Sequence, residues 1–417
     1  MVRAEAKAGL TRTDTARSST SFEEASALLF DVRDIVAERP EGAAPPRWCV
    51  ARGWEKFLAD LAEDDVALVE REGLAQAAPR LDGAPPSLVA LASAVRAVTA
   101  LAEAPRSESA EVRAARRASP RKQAQVTRFA DLVATLAPDA RRVVDVGAGH
   151  GHLTRHLALA LGVRAEGWDR DPARSAVATR LTGGIDVEFR TVDVGAGDVA
   201  LAAGDVVVGL HACGALADDA VRAAGDAGVS IALIGCCLQK RDGARQPLSA
   251  LSGRDAAAFA LGRDVLGLAN VRDGEHGVED DLATRTRARF ARIAVRALLC
   301  ERGLDIPAGG EMRGVNRRRA TGTLVDLAER AFATRGLPPP SAADVARVEL
   351  EAAFAHARER RFSLPRAMLG RLIEVWVALD RAAFLGERGY DVELVRAFDE
   401  AVSPRNIALL ARPARRS

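Results

Sequence analysis

The spacing of apolar and polar positions changes character along the chain. Over about the first hundred residues, apolar side chains recur three and four positions apart, the spacing of amphipathic helices. From Arg141 onward, short β-branched runs alternate with alanine-rich stretches of helical pattern. Two further β-branched runs, "DVELVRAF" and "NIALLARP", follow near the C-terminus and are joined by Ser403 and Pro404, which favour a turn. The pattern therefore predicts an N-terminal helical region followed by an α/β region that a strand hairpin closes.

The predicted N-terminal helices each present one apolar face. Two sets of four residues carry these faces: Trp54, Phe57, Leu58 and Leu61, and then Leu88, Leu91, Val95 and Val98. Proline-rich breaks at "ERPEGAAPPR" and "DGAPPS" separate the helices. The region is thus expected to be built from several short helices.

Five β-branched runs form the centre of the chain. They read "RRVVDVG", "VRAEGWD", "VEFRTVD", "DVVVGLH" and "SIALIGC", with helical stretches between them. Strands that alternate with helices predict a parallel, doubly wound sheet. In such a sheet, ligands bind at the carboxyl ends of the strands, beside the first strand.

Composition limits the class of protein. The chain has 417 residues, 48% of them hydrophobic, without an apolar run long enough to span a membrane. "MVRAEAKAGLTRTDTARSSTSFEEA" contains no apolar stretch that resembles a signal peptide, so we expect a cytoplasmic protein with no membrane partner. Five cysteines, odd in number and irregularly spaced, argue against a disulfide framework.

Charge leaves nucleic acid open as a partner. The net charge of +2 neither requires nor excludes it, but two local runs are basic: "RAARRASPRK" and "MRGVNRRR". Arg313 and Arg317 to Arg319 in the second run are of the type that contacts RNA phosphates. The alternative is a solvated start of the helix that follows.

The loop after the first strand predicts the cofactor. Gly147, Gly149 and Gly151 permit a sharp turn and a close approach of backbone to ligand. A dinucleotide fingerprint needs a third glycine where this chain has His152. Asp145 at the end of the first strand would repel a pyrophosphate and attract an ammonium or sulfonium group. S-adenosylmethionine carries both of these cations.

Two further aspartates follow the next two strands. Asp169 is placed to accept hydrogen bonds from both ribose hydroxyls, and Asp193 to accept one from the exocyclic amine of adenine. The alternative is that each aspartate caps the helix behind it. Carboxylates at three successive strand ends favour S-adenosylmethionine as the ligand.

These residues resemble the class I S-adenosylmethionine-dependent methyltransferases. Within that class, "GLHACGALAD" and "ALIGCCLQK" are similar to segments of the methyltransferase-like protein 25 family, as is "ALDRAAFLGERGYDVELVRAFDEAVSPRNIALLARP". The resemblance implies a Rossmann-like sheet, mostly parallel, with a closing antiparallel hairpin and a helical insertion before it.

Pattern and resemblance together predict four parts of the chain. They are an N-terminal helical region (1–125), the cofactor-binding methyltransferase core (126–240), a helical insertion (241–390) and the hairpin that completes the sheet (391–417).

Candidate catalytic residues follow the fourth and fifth strands. Methyl transfer needs an acceptor held in line and often a base, and His211 titrates in the right range. Cys213, Cys236 and Cys237 are alternative catalytic residues, as nucleophiles like those of the RNA cytosine-C5 methyltransferases. A zinc site is disfavoured, since adjacent cysteines of a strand point to opposite faces, and we expect no metal.

The methyl acceptor and the oligomeric state are not determined by the sequence. RNA is the first expectation, because a similar H-L-C-G and C-C pair occurs in a tRNA ribose methyltransferase family, with protein or a small molecule next. Two alternative functions remain. One is a catalytically silent protein that binds the cofactor or supports assembly, and the other is a nicotinamide oxidoreductase, against which His152 and Asp145 argue.

Overall fold

The structure is a computed structural model that describes residues 21–105, 120–197, 199–250, 259–271, 279–307, 309–315 and 323–414. Most of the first basic run (113–119) and the arginines at 317–319 of the second lie outside these residues, so their predicted contact with RNA is not addressed by the structure. Among the described residues, no helix has both the length and the apolar character needed to cross a bilayer.

A seven-stranded sheet forms the centre of the fold. Its strands are β1 (Arg142–Val146), β2 (Arg164–Asp169), β3 (Val187–Thr191), β4 (Asp205–Cys213), β5 (Ser230–Cys236), β6 (Tyr390–Arg396) and β7 (Ile407–Pro413). They lie in the order β3-β2-β1-β4-β5-β7-β6. The first five strands are parallel, and β7 pairs antiparallel with both β5 and β6. This is the Rossmann-like class I methyltransferase fold, and it confirms the predicted fold class and closing hairpin.

Helices connect the parallel strands as the alternating pattern predicted. They are α8 (Pro120–Leu136) before the sheet, α9 (His152–Leu161), α10 (Pro172–Arg180) and α11 (Ala215–Ala227). One hydrophobic cluster joins α8 and α9 to the central strands, with Phe129 and Leu157 packed among Val143, Val206 and Ala232. Together with the hydrogen bond between Gln125 and His211, this packing places the first turns of α8 beside the carboxyl end of β4.

The remaining helices lie before and after this α/β region. Those before it are α1 (Phe22–Asp31), α2 (Arg33–Ala37), α3 (Arg47–Ala51), α4 (Glu55–Asp60), α5 (Glu63–Glu72), α6 (Leu74–Ala77) and α7 (Pro86–Val98). Those after it are α12 (Arg263–Gly267), α13 (Glu279–Glu301), α14 (Leu324–Ala333) and α15 (Ala342–Gly386). Trp54, Leu58, Leu88 and Val95 are buried, as their spacing predicted.

The chain divides into two compact units. The first unit contains the sheet and takes the described residues within Met1–Phe30, Ala97–Asn270 and Arg371–Ser417. The second takes those within Asp31–Arg96 and Val271–Gly370. Within the second unit, Arg360 of α15 pairs with Glu63 and Glu70 of α5, so helices from both sides of the α/β region contribute to one unit. The four parts predicted from the sequence remain predictions. The boundaries of the two compact units do not coincide with the boundaries of these parts.

Candidate functional site

The glycine loop lies between β1 and α9. Gly147, Gly149 and Gly151 all have positive φ, between 57° and 72°. A Cβ on Gly151 would lie 2.2 Å from Cζ of Phe189, whereas a Cβ on Gly149 would meet nothing within 4 Å. Gly149 therefore has the open space expected beside a ligand. Gly151 makes a close approach to the ring of Phe189, and the prediction that all three glycines lie beside a ligand stays a prediction.

Asp169 at the end of β2 ties the glycine loop in place. Its Oδ2 accepts a hydrogen bond from Gly149 N at 2.9 Å, and its Oδ1 accepts one from Asp171 N at 2.9 Å. The residue is 7% exposed. Each carboxylate oxygen has two acceptor positions, so the Asp169 carboxylate retains capacity for ligand hydroxyls while it holds the loop.

Asp145 is a buried carboxyl group in β1. It is 2% exposed, and Thr154 Oγ1 of α9 donates a hydrogen bond to its Oδ2 at 2.6 Å. Burial raises the pKa of Asp145 to about 7, and the hydrogen bond from Thr154 opposes this rise. A cation bound beside Asp145 would favour its ionised form.

Asp193 occupies a more exposed position. β3 ends at Thr191, and Asp193 caps the short 3-10 helix that follows (Val194–Ala196), where its Oδ1 accepts a hydrogen bond from Gly195 N at 3.0 Å. The alternative role considered for Asp193, that of a helix cap, is thus present. One carboxylate oxygen of Asp193 caps this helix, and the predicted contact with adenine stays a prediction.

His211 interrupts the end of β4. The register between β4 and β5 shifts between Leu210 and Ala212, and His211 has a φ of 67°. A residue other than glycine rarely adopts this conformation, and such strain clusters at functional sites. Pairing resumes with Cys213 opposite Cys236. The bulge therefore turns His211 away from the regular strand pattern.

The hydrogen bonds around Gln125 of α8 define the tautomer of His211. Gln125 Nε2 donates to the carbonyl of Val402 at 3.1 Å, which orients Gln125 Oε1 toward His211 Nε2 at 2.8 Å. An amide oxygen only accepts, so His211 Nε2 carries the proton and Nδ1 holds the lone pair. Within the described part of the chain, Nδ1 has no hydrogen-bond partner. Burial, and then the charges of Lys122 and Arg121, lower the pKa of His211.

Three thiol groups meet beside His211. The Sγ atoms of Cys213, Cys236 and Cys237 all lie within 4.8 Å of one another, and those of Cys213 and Cys236 are 2.8 Å apart. Cys237 follows the end of β5 with a φ of 38°, so its side chain does not point to the opposite face as the two adjacent cysteines of one strand would. The expectation that Cys236 and Cys237 point to opposite faces of the strand is therefore wrong, because all three Sγ atoms lie together.

The electrostatic surroundings distinguish the thiols. A hydrogen bond from Cys236, and then the charge of Lys240, lower the pKa of Cys213 to about 6 against its partial burial. The same hydrogen bond and burial raise the pKa of Cys236. Lys240 Nζ lies 3.9 Å from Cys213 Sγ. The pKa of Cys213 thus lies below that of its partner Cys236.

The loops after β4 and β5 are locked together. Gly214 has a φ of 57°, and a Cβ there would lie 1.7 Å from the carbonyl oxygen of Lys240. That oxygen also accepts a hydrogen bond from Ala215 N at 3.3 Å. No other residue type fits at Gly214 without movement of the second loop.

A buried network of ion pairs holds α11 and the loop after β5 together. Asp218 of α11 accepts hydrogen bonds from Arg241, Arg245 and Arg381, and Asp380 accepts from Arg245 and from two backbone N–H groups. Despite its burial, these arginines lower the pKa of Asp218 to about 2. The aspartate of "GLHACGALAD" and the L-D-R of the C-terminal segment are therefore partners in one structure.

Sequence reasoning did not identify three residues that shape the site. Gln125, Thr154 and Lys240 contact His211, Asp145 and Cys213 respectively. Thr154 follows the glycine loop within one helical turn and its position could have suggested a contact with β1. Gln125 and Lys240 carry no local signal, because their partners depend on the packing of α8 and the path of the loop after β5.

Comparison with known proteins relates this region to methyltransferases. Residues 121–242 match a family model described as a methyltransferase domain. The match contains the glycine loop, the three aspartates, His211 and the three clustered cysteines. It ends before the C-terminal segment that completes the sheet.

Solved structures give partial similarities. A magnesium protoporphyrin IX methyltransferase from Synechocystis, with bound S-adenosylhomocysteine, is 22% identical over 27% of this chain and 54% of its own (TM-score 0.23). An amino pentose methyltransferase from Micromonospora echinaspora is 25% identical over 31% and 59% (TM-score 0.24). A tRNA (uracil-54, C5)-methyltransferase from Pyrococcus abyssi is 21% identical over 27% and 28% (TM-score 0.22). The chain thus spans less than two thirds of the length of each.

Proposed function

We propose that the protein is an S-adenosylmethionine-dependent methyltransferase. The observation that carries the proposal is the pairing of Gly149 with Asp169 beside the buried carboxyl of Asp145, within residues 121–242 that match a methyltransferase domain. A glycine with open space beside the Asp169 carboxylate, on a loop that follows the strand of Asp145, suits a ligand that has a ribose diol and nearby positive charge. It does not suit a pyrophosphate.

Each cofactor contact has a defined role in the proposal. Asp169 accepts the ribose hydroxyls, since its oxygens retain acceptor capacity. Asp145 faces the cationic part of the ligand and ionises as that part binds, and Asp193 accepts the adenine amine. S-adenosylmethionine, when bound, supplies an electrophilic methyl group on a sulfonium centre.

His211 acts in this proposal as the general base. Gln125 holds the proton on Nε2, so Nδ1 carries the lone pair that accepts a proton from the methyl acceptor. The imidazole is held by the bulge at the end of β4, at the edge of the sheet where β1 presents the glycine loop. Gln125 is then a positioning residue, which acts by fixing the tautomer.

The finer assignments rest on the sequence and are supported by this geometry. We propose a relationship to the methyltransferase-like protein 25 family, because two of its segments meet in the pair of Arg381 with Asp218, and Arg241, directly after the third segment, also pairs with Asp218. We propose RNA as the first acceptor class to test, with protein or a small molecule next. All five cysteines are free thiols, which agrees with a cytoplasmic location.

Calorimetry with S-adenosylhomocysteine and with NAD tests the proposal. We expect binding of the first ligand and none of the second. Tight binding of NAD without binding of S-adenosylhomocysteine would contradict the methyltransferase proposal and favour a nicotinamide oxidoreductase.

Tritiated methyl transfer from S-adenosylmethionine into separated cell RNA, protein and metabolites then identifies the acceptor class. Binding of S-adenosylhomocysteine with no labelled fraction would favour the catalytically silent alternative.

A further inference from the structure

We propose that Cys213, Cys236 and Cys237 form a Zn²⁺ site with three thiolate ligands and an exchangeable fourth ligand. The inference rests on the convergence of the three thiols at the ends of β4 and β5. It does not depend on methyl transfer, because it needs only the geometry and chemistry of these side chains.

The positions of the sulfur atoms fit one ion. Zn²⁺ binds thiolate sulfur at about 2.3 Å, which places the sulfurs of a tetrahedral site about 3.8 Å apart. The three Sγ atoms all lie within 4.8 Å of one another, with 2.8 Å between those of Cys213 and Cys236. A side-chain adjustment of about 1 Å would bring the sulfurs to the coordination distances.

The backbone holds the thiols in this arrangement without a metal. Cys213 and Cys236 are direct neighbours in the parallel register of β4 and β5. The positive φ of Cys237 brings a third thiol to the same point from the next residue. Gly214 and the Lys240 carbonyl fix the two loops that follow. A site of this kind loses little conformational entropy when it binds an ion.

Charge and ligand type select the ion. Three thiolates around Zn²⁺ carry a net charge of −1, and the ammonium of Lys240 lies 3.9 Å from Cys213 Sγ. Soft thiolate ligands select Zn²⁺ over Mg²⁺, Ca²⁺ or Mn²⁺, which prefer oxygen. The group found among the described residues has three ligands, so water or a small molecule takes the fourth position. Three protein ligands with one open position are typical of zinc sites that exchange ligands.

Titration of the full-length protein with Co²⁺ tests the site directly. The buffer contains a phosphine reductant, so that disulfide formation does not remove the thiols. We expect about one Co²⁺ per chain, with intense thiolate-to-cobalt charge-transfer absorption, and loss of that absorption when Zn²⁺ is added. Absence of the charge-transfer band overturns the proposal.

Serine variants locate the ligands. Cys213→Ser, Cys236→Ser and Cys237→Ser should each weaken Co²⁺ and Zn²⁺ binding by at least tenfold. Cys300→Ser is the matched control, since Cys300 is an exposed thiol on α13 and should leave metal affinity unchanged. Metal affinity that survives in the Cys213 variant, or that falls in the Cys300 variant, overturns the assignment.

A second measurement separates loss of the site from loss of the fold. Each variant is tested for binding of S-adenosylhomocysteine by calorimetry and for its unfolding transition. If a variant binds no metal and is unfolded, Cys213→Ala and Cys237→Ala, which add no polar atom, take its place. Failure to bind S-adenosylhomocysteine in the wild type refutes the methyltransferase proposal and leaves the metal titration as an independent result.

Discussion

Two regions of one sheet edge are built in different ways. At the ends of β1 and β2, the polar contacts join residues close in sequence: Thr154 lies nine positions from Asp145, and Asp169 twenty positions from Gly149. At the ends of β4 and β5, Gln125 and His211 are 86 positions apart. The proposed cofactor site thus lies within two consecutive strands and the loop and helix between them, whereas the proposed catalytic group depends on distant parts of the chain.

The backbone differs between the same two regions. Beside β1, positive φ angles fall on glycines, where they cost little. Beside β4 and β5, they fall on Gly214 and also on His211 and Cys237, whose side chains carry an imidazole and a thiol. A strained residue costs about 1–3 kcal/mol and persists only where its surroundings impose it. At the ends of β4 and β5, the backbone thus sets the direction of the His211 and Cys237 side chains.

The largest effect that distinguishes the two regions should come from His211→Asn. Asparagine tolerates a positive φ, so the bulge is kept while the base is removed. We expect turnover to fall by about 10²–10⁴ with S-adenosylhomocysteine affinity nearly unchanged. Transfer of tritiated methyl into the fraction labelled by the wild type measures turnover.

Cysteine variants give the contrasting outcome for His211. If a thiol is the nucleophile, its serine variant abolishes turnover, and a variant of a resolving cysteine traps a covalent complex. Full turnover in His211→Asn would show that the acceptor is activated by another group or by position alone.

Asp169→Ala should affect the other region. Loss of charge-assisted hydrogen bonds to the ribose, each worth about 1.5–3 kcal/mol, should weaken cofactor binding by at least tenfold. Asp171→Ala serves as the control because Asp171 is a partly exposed N-cap of α10, whose carboxylate accepts a hydrogen bond from Ala173 N. Calorimetry checks both, and equal affinities for the two variants and the wild type would remove Asp169 from the site.

Because its pKa is raised, Asp145 should make ligand binding stronger and the folded protein less stable as pH rises. Its pKa rises from 3.8 to about 7 on folding, so the folded protein holds a proton that the unfolded chain has lost. This group therefore lowers the free energy of unfolding as pH rises from about 4 to 7. Binding of a cationic ligand should strengthen by up to about tenfold per pH unit well below pH 7 and level off as the pH approaches 7.

Asp145→Asn should remove the contribution of Asp145 to the pH dependence of ligand binding and of the free energy of unfolding. Calorimetry at several pH values and urea unfolding give the two measurements. Binding that is independent of pH in the wild type would show that no ligand cation lies beside Asp145.

The smallest effect concerns Gln125. Gln125→Met removes the acceptor that fixes His211 Nε2, and turnover should fall by up to about tenfold, the value of one hydrogen bond. Gln125→Glu keeps an acceptor oxygen and should restore most of the turnover, which a merely structural role would not require. Equal turnover in Gln125→Met and Gln125→Glu would show that Gln125 does not position His211 for catalysis.

The strands, the glycine loop and the carboxylates of the first region could be predicted from the sequence. Each depends on a local rule: β-branched runs form buried strands, glycine permits positive φ, and parallel strands place their carboxyl ends at one edge. The structure confirms the sheet and its closing hairpin.

The division into compact units could not be predicted in the same way. Helices before and after the sheet share the second unit, and their pairing depends on long-range contacts such as that between Arg360 and Glu70. An apolar face predicts that a helix is buried, but it does not identify the partner that covers it.

The sequence by itself determined which residues are candidates for chemistry, and the tertiary structure decided how they meet. "HACG" and "CC" identify His211 and three thiols without stating that a bulge turns the imidazole or that Cys237 leaves the strand plane. Gln125 becomes the partner of His211 only because α8 packs against the sheet. Side-chain direction at a strand end depends on backbone angles, and here long-range packing sets those angles.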